Sequence, residues 1–270
     1  MATHRIVADS ANLITALGAT PAGNDTVRIN RYFRDFSAGT DLSAADLAAI
    51  IFEPGFGGRF RNSDGGELVA VVNQTGSGYV QNNSSSPRIE LRSTSSAGVI
   101  ARIEHAPTRG DGQLQVGACD CERLDVHGGL CVALQGMDLA VCAVSGGQCV
   151  LRSSSYAITT LEANGGEIEI ERDVTTLHLN AGATLISTHS DFSPTTMNHN
   201  GGAWIVKQSG TVSTYNGRGG LIDLTQAERL PVFSAGEIGP GVTIRLAAGQ
   251  EKPSLSGLTL RMGGPRYEYV

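Results

Sequence analysis

The feature that most constrains this chain is a short motif that recurs six times between Leu124 and Leu224. It runs LDVHGGLCV from Leu124, CAVSGGQCV from Cys142, LEANGGEIEI from Leu161, LHLNAGATLI from Leu177, MNHNGGAWIV from Met197 and STYNGRGGLIDL from Ser213. The anchoring residues His127, Ser145, Asn164, Asn180, Asn200 and Asn216 follow at spacings of 18, 19, 16, 20 and 16. A nearly fixed period is the mark of a repeat architecture, in which each unit buries its apolar face only against its neighbours.

Within each unit the period is two. Leu124 and Val126, Cys142 and Val144, Leu161 and Ala163, and Leu177 and Leu179 alternate with Asp125, Ala143, Glu162 and His178. That alternation describes a half-buried strand. A glycine turn follows, then a second short strand such as Glu167 to Ile170, with no helical segment between. Because the motif always reads in the same direction, successive copies must stack in parallel, about 4.8 Å apart. The expectation is therefore all-β: a right-handed parallel β-helix solenoid with coils of about 18 residues. A left-handed helix needs an aliphatic residue at every sixth position. Counting from Val126, that series is broken by Asp138 and Tyr156. Composition agrees, with 35 glycines and only 17% charged residues, too few for a helical bundle with exposed charged faces.

Two columns follow from the register. Asn164, Asn180, Asn200 and Asn216 precede the turns, where asparagine tolerates a sharp bend and glycine supplies positive φ. Stacked amides there form a structural ladder. Two residues beyond the glycines come Cys131, Cys149, Ile168, Thr184, Trp204 and Ile222, a stacked core column that places the single tryptophan in the interior. Cys119, Cys121, Cys131, Cys142 and Cys149 are odd in number and lack zinc-ribbon spacing, so buried free thiols are the expectation.

The flanks are less regular. Ile89 to Leu91, Val99 to Ile103, Gln113 to Val116 and Val242 to Leu246 have strand patterning, as do Arg5 to Val7 and Thr26 to Ile29. Residues 1–60 are expected to form an N-terminal cap and attachment segment, 61–248 the solenoid and 249–270 a closing segment. Asp41 to Ala49 suits a short helix; alternatively Ile50 to Phe52 is a first extended rung ending at Pro54-Gly55. The tail from Arg266 to Val270, with its two tyrosines, either docks on a neighbouring subunit or simply frays.

Candidate chemistry is sparse. Glu167, Glu169, Glu171 and Asp173 form the richest acidic cluster, and outer-wall carboxylates are what a polysaccharide-cleaving β-helix would use. No aromatic residues accompany them for sugar stacking, and a solvated outer face accounts for them. No metal, nucleotide or nucleophile motif stands out, so no cofactor, metal or catalytic residue is assigned. A net charge of −6 without a basic run disfavours nucleic acid. No 18-residue apolar stretch and no secretory h-region is present, so the expectation is a chain that folds in the cytoplasm and does not enter a membrane.

The units Val174 to Gly182 and Leu161 to Gly166 resemble the repeated T-x-L-x-L-x-G-G units of β-helical virion proteins of tailed bacteriophages. The stretch Leu47 to Arg59 is similar to the entry into such repeats, and the resemblance covers roughly residues 40–224. It implies a non-enzymatic capsid-decoration or head- or tail-associated protein, oligomeric, partnered by other virion proteins such as the major capsid protein, made in the host cytoplasm and located in the virion. Two alternatives remain open: a tailspike-like depolymerase or lyase, and a self-polymerising β-helix resembling bactofilins.

Overall fold

The structure is a computed structural model. It describes residues 2–6, 13–17, 25–37, 49–53, 57–61, 79–82, 88–92, 99–107, 112–117, 120–135, 137–152, 157–189 and 192–270. The chain divides into two compact units, Met1–Ala140 and Val141–Val270. Both are built as parallel β-solenoids.

In the first unit the chain passes through β1 (Thr3–Ile6), α1 (Leu13–Leu17), β2 (Thr26–Ile29), β3 (Tyr32–Ser37), β4 (Ala49–Phe52) and β5 (Gly57–Arg61). It continues through β6 (Tyr79–Asn82), β7 (Arg88–Arg92), β8 (Val99–His105), β9 (Gln113–Gly117), β10 (Asp120–Val126) and β11 (Leu130–Ala133). Strands alternate between two sheets, ordered β1-β2-β4-β6-β8-β10 and β3-β5-β7-β9-β11. From β2 onward each strand pairs with the one two places further along the chain, which is what a continuous winding produces, while β1 pairs with β2 directly. Val27 stacks on Ile50, and Ile103 on Leu124, all with no exposed surface.

The second unit repeats this plan more regularly. Its strands are β12 (Asp138–Val144, of which Val141–Val144 lie in this unit), β13 (Gln148–Leu151), β14 (Ile158–Ala163), β15 (Gly166–Ile170), β16 (Val174–Leu179), β17 (Ala183–Ser187) and β18 (Thr196–His199). Then come β19 (Ala203–Val206), β20 (Thr211–Gly217), β21 (Gly220–Asp223), β22 (Val232–Ile238), β23 (Val242–Leu246), β24 (Thr259–Leu260) and β25 (Arg266–Tyr269). Even-numbered strands make one sheet and odd-numbered strands the other. Partners Val141–Thr160, Ile158–Val174, Thr176–Thr196 and Thr196–Thr214 set windings of 19, 16, 20 and 18 residues.

Strands form where the sequence alternates, and alternation decides which face is buried. In β17 and β23 every second residue is buried and the rest are half-exposed. Burying an aliphatic side chain such as Leu161, Leu177 or Leu185 stabilises by about 1.5–3 kcal/mol. The corner between consecutive strands is made by glycine. Gly129, Gly147, Gly166, Gly202 and Gly220, the second of each pair, all have positive φ, between 64° and 105°. Stacking adds a second demand. A Cβ at Gly166 would lie 2.5 Å from the carbonyl oxygen of Gly147, in the preceding winding, to which Glu167 N–H donates.

The expected domain limits need correction. Parallel pairing already joins Thr3–Ile6 to Thr26–Ile29, and these to Ala49–Phe52, so residues before 60 supply windings themselves. The segment after 248 supplies β24 and β25, which pair in parallel with β22 and β23. Of the two readings at Ile50 to Phe52, the extended rung is the one found. The short helix was expected over Asp41 to Ala49. Positions 41–48 of it, and the turn at Pro54-Gly55, lie outside the described residues.

Gly166→Ala is expected to cost at least about 1–2 kcal/mol for its left-handed backbone, and more for the carbonyl contact. Gly249→Ala, at φ 81° with nothing within 4 Å of the new Cβ, should show the backbone cost alone. Urea denaturation of the two variants checks this; equal losses would contradict the close approach of stacked turns.

Candidate functional site

The outer faces are where a ligand could meet this protein, and their polar groups are tied together from winding to winding. Asn180 Nδ2 donates to Asn164 Oδ1 at 2.7 Å, and Asn200 Nδ2 donates to Asn180 Oδ1 at 3.1 Å. The amide ladder thus joins three of the four asparagines expected in it. Asn216 stands in another column, donating to Asn198 Oδ1 at 3.0 Å, with His178 Nδ1 3.4 Å from Asn198 Nδ2. The backbone N–H of Arg218 donates to His199 O, just as Asn200 N–H donates to Leu179 O. Arg218 therefore occupies the position that would continue the ladder. The Gly219-Gly220 pair, rather than Asn216-Gly217, was the signal that marks it.

The acidic cluster is engaged in the same manner. Glu167 accepts from Gln148 Nε2 at 3.0 Å, Arg152 pairs with Glu171 and lies 3.7 Å from Glu169, and Asp173 accepts the N–H of Ser193 at 2.8 Å. Glu171 falls just past the end of β15 rather than within the strand. Further on, Arg245 bridges Asp223 and Glu268. In the first unit Asp125, only 3% exposed, accepts from Arg102 and Arg123 at 2.7 and 2.9 Å. Partial burial works against the Glu53 carboxylate, but hydrogen bonds from Arg5 and Arg28 hold its pKa below the ordinary value.

Inside, β13 to β23 bring together Cys149, Ile168, Leu185, Trp204, Ile222 and Ile244 in one register column. Leu185, not Thr184, fills it, because the turn after Asn180 is one residue longer than those after Asn164 and Asn200. Trp204 is fully buried, donates to Ser187 Oγ at 3.1 Å and meets Phe192 edge-on. Cys131 belongs to the first unit, stacked on Leu114. Cys121, Cys131, Cys142 and Cys149 are buried thiols outside any disulfide, and Cys119 lies outside the described residues. Among the described residues, no three His, Cys, Asp or Glu side chains gather as a metal site would require. No helix among them is long and apolar enough to cross a membrane.

Strand parity points His199 inward, but sequence reasoning did not single out the burial of His105 or name what surrounds either histidine. His105 and His199 each end a strand with an inward side chain and no exposed surface. His105 Nε2 lies 3.2 Å from the carbonyl oxygen of Gly112. His199 Nδ1 lies 2.9 Å from the hydroxyl of Tyr215, also fully buried, while Nε2 faces the carbonyls of Gly201 and Gly202 without closing a well-formed hydrogen bond. Burial holds the Tyr215 phenol protonated. The Tyr215 ring occupies the space a Cβ would need at Gly217, the residue that stacks on His199. Burial pushes both histidines down to about 4, so they are neutral at pH 7. Inward parity at positions 105 and 199 was the only sequence signal.

One open cleft of about 610 Å³ is lined by Gly217, Arg218, Glu237, Gly239, Pro240, Arg261 and Met262. Arg261 is ion-paired to Glu237 there. Met262 has φ 49° and is 92% exposed. With the fold established as a β-solenoid, comparison with known proteins adds nothing closer: no family model, no curated protein and no solved structure matches the chain.

Two outcomes follow. Stability should fall as pH drops from 6.5 towards 4, because the unfolded histidines bind protons there and the folded ones do not. The loss is at most about 3 kcal/mol for each of His105 and His199. Urea midpoints measured across that window for the chain and for His199→Leu check it: the variant should show the shallower dependence. Asn180→Ala removes both ladder bonds and should cost about 1–2 kcal/mol at pH 7, where Asn216→Ala should leave the bonds among Asn164, Asn180 and Asn200 intact.

Proposed function

We propose that this protein is a non-enzymatic structural component of a bacteriophage virion, a capsid-decoration or head- or tail-associated protein. Its windings would serve as a stiff element that other virion proteins, the major capsid protein foremost, hold in place. The observation that supports the structural half is the engagement of outer-face polar groups with one another. A glycosidase needs a carboxylic acid and a carboxylate flanking a bound sugar, each able to exchange a proton with it. Glu167, Glu169, Glu171 and Asp173 are instead tied to Gln148, Arg152 and the Ser193 backbone. Such axial pairing stiffens a solenoid. The virion half rests on the likeness of Leu161 to Gly166 and Val174 to Gly182 to phage repeats.

Mass spectrometry of purified virions should find the chain at a fixed copy number per particle; its absence would contradict the assignment. Incubated with capsular polysaccharide, the protein should release no reducing ends above background. Release that Glu169→Gln abolishes would put the depolymerase reading in its place.

A further inference from the structure

The last winding of the second unit leaves open what every earlier winding of that unit closes. Ile238, Ile244 and Leu246 have no exposed surface. One winding on, Leu260 stacks on Ile238 and Tyr269 on Leu246, yet they are 54% and 51% exposed, beside Val270 at 62%. The strand edge is open as well. Val270 donates its N–H to Leu246 O and accepts at its carbonyl from Ala248 N–H, so both groups point towards β23. Backbone direction alternates along a strand, so Tyr267 and Tyr269 direct their N–H and C=O groups away from β23. An apolar end face with an unpaired edge is a template for another strand. By contrast, the first strand of the first unit is covered: Ile6 is 4% exposed and α1 packs against β1.

The charges on β25 specify the occupant. Along the outer column Asp223, Arg245 and Glu268 alternate in sign, with Arg245 reaching 3.4 Å to Asp223 and 3.0 Å to Glu268. A cation would continue the column. Arg266 and Glu268 flank Tyr267 on the outward face, so the strand Arg-Tyr-Glu-Tyr is complementary to itself when reversed. We propose that this end face docks on a second copy of the chain, β25 pairing antiparallel with β25 about a two-fold axis through Tyr267.

Register follows from the backbone. With the axis at Tyr267, the two copies exchange both hydrogen bonds of that residue, using the groups that face the open edge. Arg266 then lies opposite Glu268 of the second copy, and Glu268 opposite its Arg266. Both are non-hydrogen-bonded pairs, in which Cα atoms approach to about 4.5 Å and side chains meet most closely. Centring the axis on Arg266 or Glu268 would set like charges opposite each other. Centring it between residues would set inward side chains against outward ones. This isologous contact goes beyond the structural reading above and stands or falls separately from it.

Sedimentation velocity on the full chain at low micromolar concentration tests the proposal. The chain should sediment as two copies. Arg266→Glu, which keeps the Arg245–Glu268 pair, should weaken association by at least roughly tenfold, as loss of a close ion pair does. Mixing Arg266→Glu with Glu268→Lys in equal amounts should recover the two-copy species, since every cross-strand pair is again opposite in sign; recovery also shows that each variant folds. A wild-type chain that sediments singly, or a two-copy species indifferent to Arg266→Glu, would overturn it.

Discussion

The interaction on which the rest of this structure depends is the backbone hydrogen bond from one winding to the next. Asn180 N–H to Ala163 O, Asn200 N–H to Leu179 O and Arg218 N–H to His199 O are examples at one corner. Each such bond fixes residues one turn apart in the chain as direct neighbours in space. Every side chain then has a partner above and below of the same orientation, about 4.8 Å away. The sequence must satisfy that condition column by column. Inside, aliphatic residues stack on aliphatic residues. Outside, an amide bonds the next amide, and a carboxylate meets an arginine or an amide. At the corners, carbonyls of one turn come so near the next that glycine is required twice over, for its φ and for its missing Cβ.

Where the windings are shortest, this condition was legible in the sequence. Leu161, Leu177 and Met197 share a column because the motif carries them at the same offset. The amide ladder of Asn164, Asn180 and Asn200 was legible for the same reason. The failures arise where a corner changes length. One extra residue after Asn180 moves Thr184 outward and Leu185 inward, since a single-residue slip reverses every side chain beyond it. Two extra residues before Gly219 place Arg218, not Asn216, on the ladder. Early in the first unit the windings are longer, 23 residues from Thr3 to Thr26 and 30 from Ala49 to Tyr79. Four-residue strands separated by corners of that size leave no visible period, which is why windings before residue 60 looked like a cap.

The buried polar groups were illegible for a different reason. Parity places His199 in the interior, but nothing in its neighbours along the chain names Tyr215, one winding further on, or the carbonyls of Gly201 and Gly202. Those partners exist only once the windings are stacked. A neutral imidazole between a phenol and a turn lets a polar side chain occupy an apolar column near neutral pH. The same logic explains the outer face. Carboxylates that look available along one strand, such as Glu167 and Glu169, find Gln148 and Arg152 only through the register. A surface that reads as chemistry in one dimension reads as cross-bracing in three.

All of this rests on parallel, in-register stacking, and the rival arrangement is specific. Asn-Gly between two short strands is also the strongest signal for an antiparallel hairpin, which would fold each motif back on itself. Nuclear Overhauser contacts between backbone protons of isotope-labelled protein separate the two most directly. Stacked windings predict contacts from Leu161 to Leu177 and from Leu177 to Met197, with a second series through Ile168, Leu185 and Trp204. Contacts from Glu162 to Glu167 and from Leu161 to Ile168, across the Asn164-Gly165 corner, would mean a hairpin and would contradict the solenoid.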